Sequence, residues 1–116
     1  MKLREIRDIL EAEVLSGEAY LDRDVYAACG ADLMSDVLAF VKNQSVLLTG
    51  LLNPQMVRTA EMMDICCIII VWGKIPDAQT VKLTDDKNIV FMTTKNHMYA
   101  ACGKLYSGGL FQREGI

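Results

Sequence analysis

Polar residues suited to binding a small anion follow several apolar segments of this 116-residue chain. Residues 30–32, 49–53, 72–74 and 93–95 each come directly after such a segment. Together they supply glycines, hydroxyl groups, one amide and two lysines, which are groups that contact phosphate and similar anions. The same residue types also form helix caps and tight turns, so a purely structural role stays open for each of the four.

Nine residues in or beside these segments are the candidate ligand-binding residues: Asp32, Ser35, Thr49, Gly50, Asn53, Gly73, Lys74, Thr93 and Thr94. Asn53 would act through the exposed amides of the helix that it begins, and Lys74 would act through its charge. Because the carboxyl ends of parallel strands meet at one edge of a sheet, we expect these residues to gather along a single rim.

Motifs for catalysis and for nucleotide binding are missing from the sequence. No glycine-rich phosphate loop and no dinucleotide fingerprint occurs. A small enzyme that uses Asp32, Asp36 or His97 for acid–base catalysis is a third hypothesis, beside the two binding roles given at the end of this section. A thiol nucleophile at Cys29 or Cys102 would need a characteristic local motif, which the sequence lacks. The single histidine excludes a multi-histidine metal site. We therefore predict no enzyme, no cofactor and no metal.

Composition excludes several classes of partner. The net charge is −3 and the twelve basic residues are scattered, whereas nucleic-acid binding needs a concentrated basic surface. The longest apolar run, residues 65–72, is far too short to span a membrane, and residues 1–5 mix charges where a signal peptide is apolar. The four cysteines lack a disulfide framework and fit reduced thiols. We expect a cytoplasmic protein that binds neither nucleic acid nor membrane.

Helical and strand patterns alternate along the chain, which predicts a single α/β domain over residues 1–110 with a tail at 111–116. We expect a mostly parallel central sheet of about four to five strands with helices on both faces. Strands are predicted at residues 14–15, 25–29, 46–49, 66–71 and 89–92. Residues 66–71 are apolar on both faces, as in a central strand.

Three helix starts are predicted from capping residues. Asn53 followed by Pro54 is a typical start, and Asp77 lies near the cap of the next helix. Asp32 is predicted to cap a helix whose apolar stripe extends to Val41. The last helix follows Thr93 and Thr94 and ends at residues 108–109.

Several segments, in order along the chain, resemble the DRTGG domain family. They are residues 21–25 (LDRDV), 30–39 (GADLMSDVLA), 47–55 (LLTGLLNPQ), 58–61 (RTAE), 73–77 (GKIPD), 93–94 (TT) and 98–105. No uninterrupted DRTGG string occurs. The residue types in the family name occur instead at separate positions, such as Asp22, Arg23, Thr49 and Gly50. The resemblance extends over about residues 1–110.

The resemblance implies a fold similar to the N-terminal domain of HPr kinase/phosphorylase and a regulatory role. Members are accessory modules of phosphotransacetylases and CBS-domain pyrophosphatases, in which other domains perform catalysis. It transfers no catalytic residue to this chain. Our first hypothesis is a regulatory module, with a homodimer expected, that senses a small anionic metabolite such as a nucleotide or phosphate, or docks on an enzyme. The alternative is a purely structural interaction or dimerisation domain.

Overall fold

One mixed sheet with helices on both faces forms the centre of the molecule. The computed structural model describes residues 1–40 and 44–113. Within them the strand order is β1-β5-β4-β3-β2-β6. The strands are β1 (Glu13–Ser16), β2 (Ala27–Gly30), β3 (Ser45–Thr49), β4 (Cys67–Ile70), β5 (Val90–Thr93) and β6 (Gln112–Arg113). The predicted α/β class is confirmed.

The number of strands differs from the expected four to five because a short strand forms near the C-terminus. β6 has two residues and pairs in parallel with β2, Ala27 opposite Gln112. It lies in the segment predicted as a tail, whose residues 114–116 lie outside the described part of the chain. Its signal in the sequence is too short to distinguish a strand from a loop.

Strands β2, β3, β4 and β5 run parallel in that spatial order, and β1 runs antiparallel to β5 at the other edge. The register sets Thr49 beside Ile70 and Ile70 beside Thr93. Glu13 of β1 lies opposite Thr93. The carboxyl ends of β3, β4 and β5 therefore finish at one level of the sheet.

Within residues 1–40 and 44–113, five α-helices cover the two faces, and a short 3-10 helix forms at Glu18–Tyr20. The α-helices are α1 (Leu3–Leu10), α2 (Met34–Phe40), α3 (Pro54–Met62), α4 (Ala78–Asp86) and α5 (Met98–Ser107). Alternate residues of β3 point to opposite faces: Val46 and Leu48 pack with α1 and α5, whereas Leu47 packs with α2 and α3. Every residue of β3, β4 and β5 is buried, as the unbroken apolar runs predicted.

The predicted starts of α3 and α4 are confirmed. Oδ1 of Asn53 accepts a hydrogen bond from the Met56 amide at 3.1 Å, and Pro54 occupies the first helical position. Oδ1 of Asp77 accepts from the Thr80 amide at 2.8 Å, and this bond lowers the pKa of Asp77. The prediction that Asp32 caps α2 is wrong. Backbone amides in the first turn of α2 donate to the carbonyl of Leu33, so the helix begins after Leu33, one residue later than predicted. Val41 lies outside the described residues.

The predicted strand bounds are displaced by one or two residues, and Val25 shows why. Its amide donates to the Met1 carbonyl at 2.8 Å, and the N-terminal ammonium donates to the Val25 carbonyl at 3.0 Å. Val25 is thus paired with the start of the chain, and β2 begins only at Ala27. A long-range partner of this kind leaves no periodic signal in the sequence.

Two glycines should respond to alanine in opposite directions. Gly17 has φ +85°, and a Cβ there would lie 2.9 Å from the Val90 Cα in β5, so Gly17→Ala adds left-handed strain and a backbone clash. Gly103 lies inside α5 with nothing within 4 Å of an added Cβ. We expect Gly17→Ala to lower the free energy of unfolding by about 1–2 kcal/mol or more, and Gly103→Ala to raise it by about 1 kcal/mol. Urea unfolding measures both, and equal signs would contradict this packing.

Candidate functional site

The loops after the parallel strands form the candidate site. Thr49 ends β3 and Thr93 ends β5, on either side of Ile70 at the end of β4. Both threonine side chains are buried, with exposures of 0% and 6%. Since this edge is where ligands bind in open α/β sheets, we built the site outward from these two hydroxyls.

Asp32 fixes the turn that follows β3. Its Oδ1 accepts a hydrogen bond from the Thr49 hydroxyl at 3.0 Å and from the Gly50 amide at 2.7 Å. The Thr49 oxygen in turn accepts from the Leu51 amide at 3.2 Å. Asp32 therefore bonds to the neighbouring loop, and its side chain is oriented towards that loop rather than towards the first turn of α2.

Lys74 connects the ends of β3 and β5. Its Nζ donates to the Gly50 carbonyl at 3.0 Å, and its own carbonyl accepts from the Thr93 hydroxyl at 2.7 Å. A Cβ placed on Gly50 would lie 3.5 Å from Lys74 Nζ, 3.6 Å from Asp32 Oδ1 and 3.7 Å from Trp72 Cδ1. An ammonium and a carboxylate thus flank the same small space, so their charges offset one another there.

A tight turn after β4 presents the single tryptophan of the chain. Trp72 has φ +70° and Gly73 has φ +67°. The Trp72 amide donates to the Asn96 carbonyl at 2.9 Å, and the Gly73 amide donates to the Thr94 carbonyl at 2.8 Å. The indole is 52% exposed and stacks on His97, with ring centroids 4.0 Å apart and planes inclined by 21°.

A cavity of about 430 Å³ borders Gly73. Its lining includes two cationic side chains, Lys95 and Lys104, and two carboxylates, Glu11 and Glu13. The rest of the lining comprises Leu10, Gly73, Ile75, Thr93, Thr94 and Asn96. Opposite charges in one cavity suit a ligand that carries both an anionic group and hydrogen-bond donors.

Hydrogen bonds hold one wall of this cavity in place. The Thr94 hydroxyl and the Asn96 amide both donate to the Leu10 carbonyl, at 2.8 and 2.9 Å. Lys104 Nζ donates to Asn96 Oδ1 at 2.7 Å. The loop after β5 is thereby tied to the C-terminal end of α1 and to α5, so the position of Lys104 follows from this network.

The structure brings most of the predicted residues together. Asp32, Thr49, Gly50 and Lys74 are linked by direct hydrogen bonds, and Thr93 joins them through the Lys74 carbonyl. Gly73, Thr93 and Thr94 line the cavity. Asn53 is exposed and caps α3, and Ser35 and Asp36 are exposed in α2. Within residues 1–40 and 44–113, Asn53 and Ser35 share no hydrogen bond with the others.

Sequence reasoning noted Lys95 only as part of the loop at residues 93–95, and it missed six other residues that line the cavity: Leu10, Glu11, Glu13, Ile75, Asn96 and Lys104. Glu13 reaches the site because β1 pairs antiparallel with β5, and Glu11 because it follows α1. Nothing local in the sequence signals that pairing. For Lys104 a weak signal existed, since it lies two turns into the helix that follows the loop at residues 93–97.

Reactive groups are sparse in the described part of the chain. Residues 1–40 and 44–113 contain no group of three or more His, Cys, Asp or Glu side chains that could hold a metal ion. Burial raises the pKa of the Cys66 and Cys102 thiols, and raises that of Cys67 well above its ordinary value. These three are protonated thiols near neutral pH. No helix among the described residues is long and apolar enough to cross a membrane.

Comparison with known proteins gives one family. The family model of the DRTGG domain matches residues 5–107. No curated protein matches this chain.

A solved structure supports the same fold. It contains the CBS and DRTGG domains of the regulatory region of Clostridium perfringens pyrophosphatase, complexed with its activator diadenosine tetraphosphate. The TM-score is 0.72 at 17% sequence identity, over 90% of this chain and 45% of that one. This chain therefore spans less than half the length of that regulatory region.

The role of Asp32 in fixing the rim can be tested by alanine. Asp32→Ala leaves the buried Gly50 amide and Thr49 hydroxyl without their acceptor, and we expect the free energy of unfolding to fall by about 1–3 kcal/mol. Asp36→Ala, an exposed aspartate four residues later on α2, is the matched control and should change it by less than about 1 kcal/mol. Chemical unfolding measures both, and equal effects of the two variants would contradict the role given to Asp32.

Proposed function

We propose that this chain, which belongs to the DRTGG domain family, is a non-catalytic regulatory module that binds a small anionic ligand at the carboxyl edge of its sheet. The observation that carries the proposal is the cavity of about 430 Å³ between the loop after β4 and the loop after β5. Its volume lies within the range of small-molecule sites. It also lies where this sheet architecture places ligands.

Lys95 and Lys104 are the groups that we assign to the anion. Both line the cavity, and Lys104 is held by its bond to Asn96. Lys95 makes no hydrogen bond or ion pair within residues 1–40 and 44–113, so its ammonium is available to a ligand. Thr93 and Thr94 are committed to the Lys74 and Leu10 carbonyls, and their part in the site is to shape the loop. We assign Lys74 the same shaping role, with its charge as a secondary attraction.

Partner and location follow from the same proposal. The regulatory region of the pyrophosphatase joins DRTGG and CBS domains and binds a nucleotide activator. By analogy we propose that this chain acts on an enzyme, of the CBS-domain or phosphotransacetylase type, and reports the level of its ligand to it. We propose the cytoplasm as its location because Cys66, Cys67 and Cys102 form no disulfide within residues 1–40 and 44–113.

Isothermal titration with inorganic tripolyphosphate and ATP tests the anion site. We expect Lys95→Ala and Lys104→Ala each to weaken binding by roughly five- to ten-fold, since each removes one partly exposed charge from the cavity. Raising the salt concentration should also weaken the binding of both probes, because salt screens the attraction between the lysines and the phosphates.

The matched control is Lys82→Ala, which removes the same charge from an exposed site on α4 where Lys82 pairs with Asp86 at 3.5 Å. It should leave affinity unchanged. The proposed anion site would be contradicted if neither probe produced a heat of binding, or if Lys82→Ala lost as much affinity as Lys95→Ala and Lys104→Ala.

A second candidate function, homodimerisation, is favoured by an apolar surface beside β2. Tyr26, Tyr106 and Phe111 are 52%, 57% and 61% exposed, and the rings of the last two meet edge to face at 5.3 Å. A cavity of about 120 Å³ that Tyr106 and Phe111 line reaches Ala28 and Gly30 on β2. Exposed aromatic residues around small side chains are typical of interaction surfaces.

Sedimentation equilibrium at tens of micromolar tests the second copy as occupant of this surface. We expect a dimer whose dissociation constant rises at least ten-fold in Phe111→Ser, because a large buried aromatic ring is typically a principal contact. Met62→Ser, which removes another exposed apolar side chain, at 71% exposure on α3, is the control and should leave the dimer intact. A strict monomer at that concentration would rule the dimer out.

A further inference from the structure

The stacked rings of Trp72 and His97 stand on the same rim as the cavity and are not explained by core packing. More than half of the indole is exposed although the imidazole stacks on it, and His97 is itself exposed. An aromatic side chain contributes most to stability when it is buried, so exposing this ring forfeits part of that gain. A heteroaromatic pair at a ligand-binding edge is a surface on which a further ring can stack.

The backbone holds the indole in this position at a cost. A bulky residue at φ +70° is an outlier of backbone conformation, and adopting it is unfavourable. Two backbone hydrogen bonds from the turn to the loop after β5, at 2.9 and 2.8 Å, maintain it. Strain that the surrounding structure overcomes is concentrated at ligand sites in proteins.

Gly73 links the ring pair to the cavity. It lines the cavity and is the next residue after Trp72. A Cβ on Gly73 would lie 3.7 Å from Lys95 Cγ, so the aliphatic part of Lys95 runs directly beside the turn. The turn that carries the indole therefore borders both the cavity and the Lys95 side chain.

We infer that the ligand is a nucleotide whose base stacks against Trp72 and whose phosphates lie in the adjacent cavity near Lys95 and Lys104. This inference rests on the proposed function, since it uses the same cavity for the anionic group. In this arrangement Glu11 and Glu13, which also line the cavity, accept hydrogen bonds from ribose hydroxyls or an exocyclic amine. Stacking against an aromatic side chain tolerates any base, so the pair selects an aromatic ring and not a particular base.

Trp72 is the only tryptophan in the chain, so its fluorescence reports directly on this position. The probes are ATP, inorganic tripolyphosphate and adenosine, titrated into the full chain with absorbance correction. We expect ATP to quench Trp72 emission and to bind roughly ten-fold or more tightly than tripolyphosphate, which offers no ring. Adenosine should quench weakly at high concentration.

Variants at position 72 isolate the ring from the backbone. Trp72→Phe and Trp72→Leu both place a bulky side chain at the same positive φ, so any loss of stability is shared between them. By calorimetry Trp72→Leu should remove the preference for ATP over tripolyphosphate, and Trp72→Phe should keep part of it. Tyr99→Leu, which removes a 93% exposed ring just beyond His97, should leave the preference intact.

The possible outcomes separate this inference from the proposed function. If tripolyphosphate and ATP bind equally and Trp72→Leu changes neither, the base-stacking inference is overturned while the anion site stands. If adenosine and ATP bind equally well and both lose affinity in Trp72→Leu while Lys95→Ala and Lys104→Ala do nothing, stacking stands and the anion site fails. If none of the three probes binds, both are overturned.

Discussion

The parallel register of β3, β4 and β5 is the constraint on which the site depends. Because Thr49, Ile70 and Thr93 are neighbours across three strands, the loops that follow these strands start at the same level. Those loops can then bond to one another, as Lys74 does with the Gly50 carbonyl and the Thr93 hydroxyl. A one-residue slip of any of these strands would move each of its buried side chains to the core on the opposite face of the sheet, so the packing of the two cores also fixes the rim.

Much of the fold was predictable because its signals are local. The unbroken apolar runs identified the central strands, and Asn53 and Asp77 identified two helix starts through bonds made within one turn of the chain. The same local reasoning failed at Asp32, which has a partner 17 and 18 residues away in Thr49 and Gly50. A carboxylate before a helix is equally suited to both roles, and only the tertiary structure decides between them.

The candidate site was predictable only along the parallel strands. The rule that loops after parallel strands share an edge correctly grouped Thr49, Gly50, Lys74 and Thr93. It says nothing of β1, whose antiparallel pairing adds Glu13, or of α5, which adds Lys104 through Asn96. Those contacts join segments that are distant in the sequence, so the cavity and its carboxylates emerge only when the chain is folded.

The helix α5 physically joins the two surfaces to which we assign functions. Its N-terminal end follows Asn96 and His97 at the rim, and its C-terminal end bears Tyr106 at the apolar surface beside β2. A helix of ten residues is a stiff rod of about 15 Å, so a displacement at one end is carried to the other.

Between its ends α5 packs closely on the sheet, with Ala101 and Leu105 buried. Gly30 of β2 leaves space for the side chains of Cys102 and Met98, since a Cβ on Gly30 would lie 2.9 and 3.1 Å from their sulfur atoms. Close packing along that length means that α5 can move only as a unit with its sheet contacts, which is the mechanical property that a regulatory module needs between a ligand site and an interface.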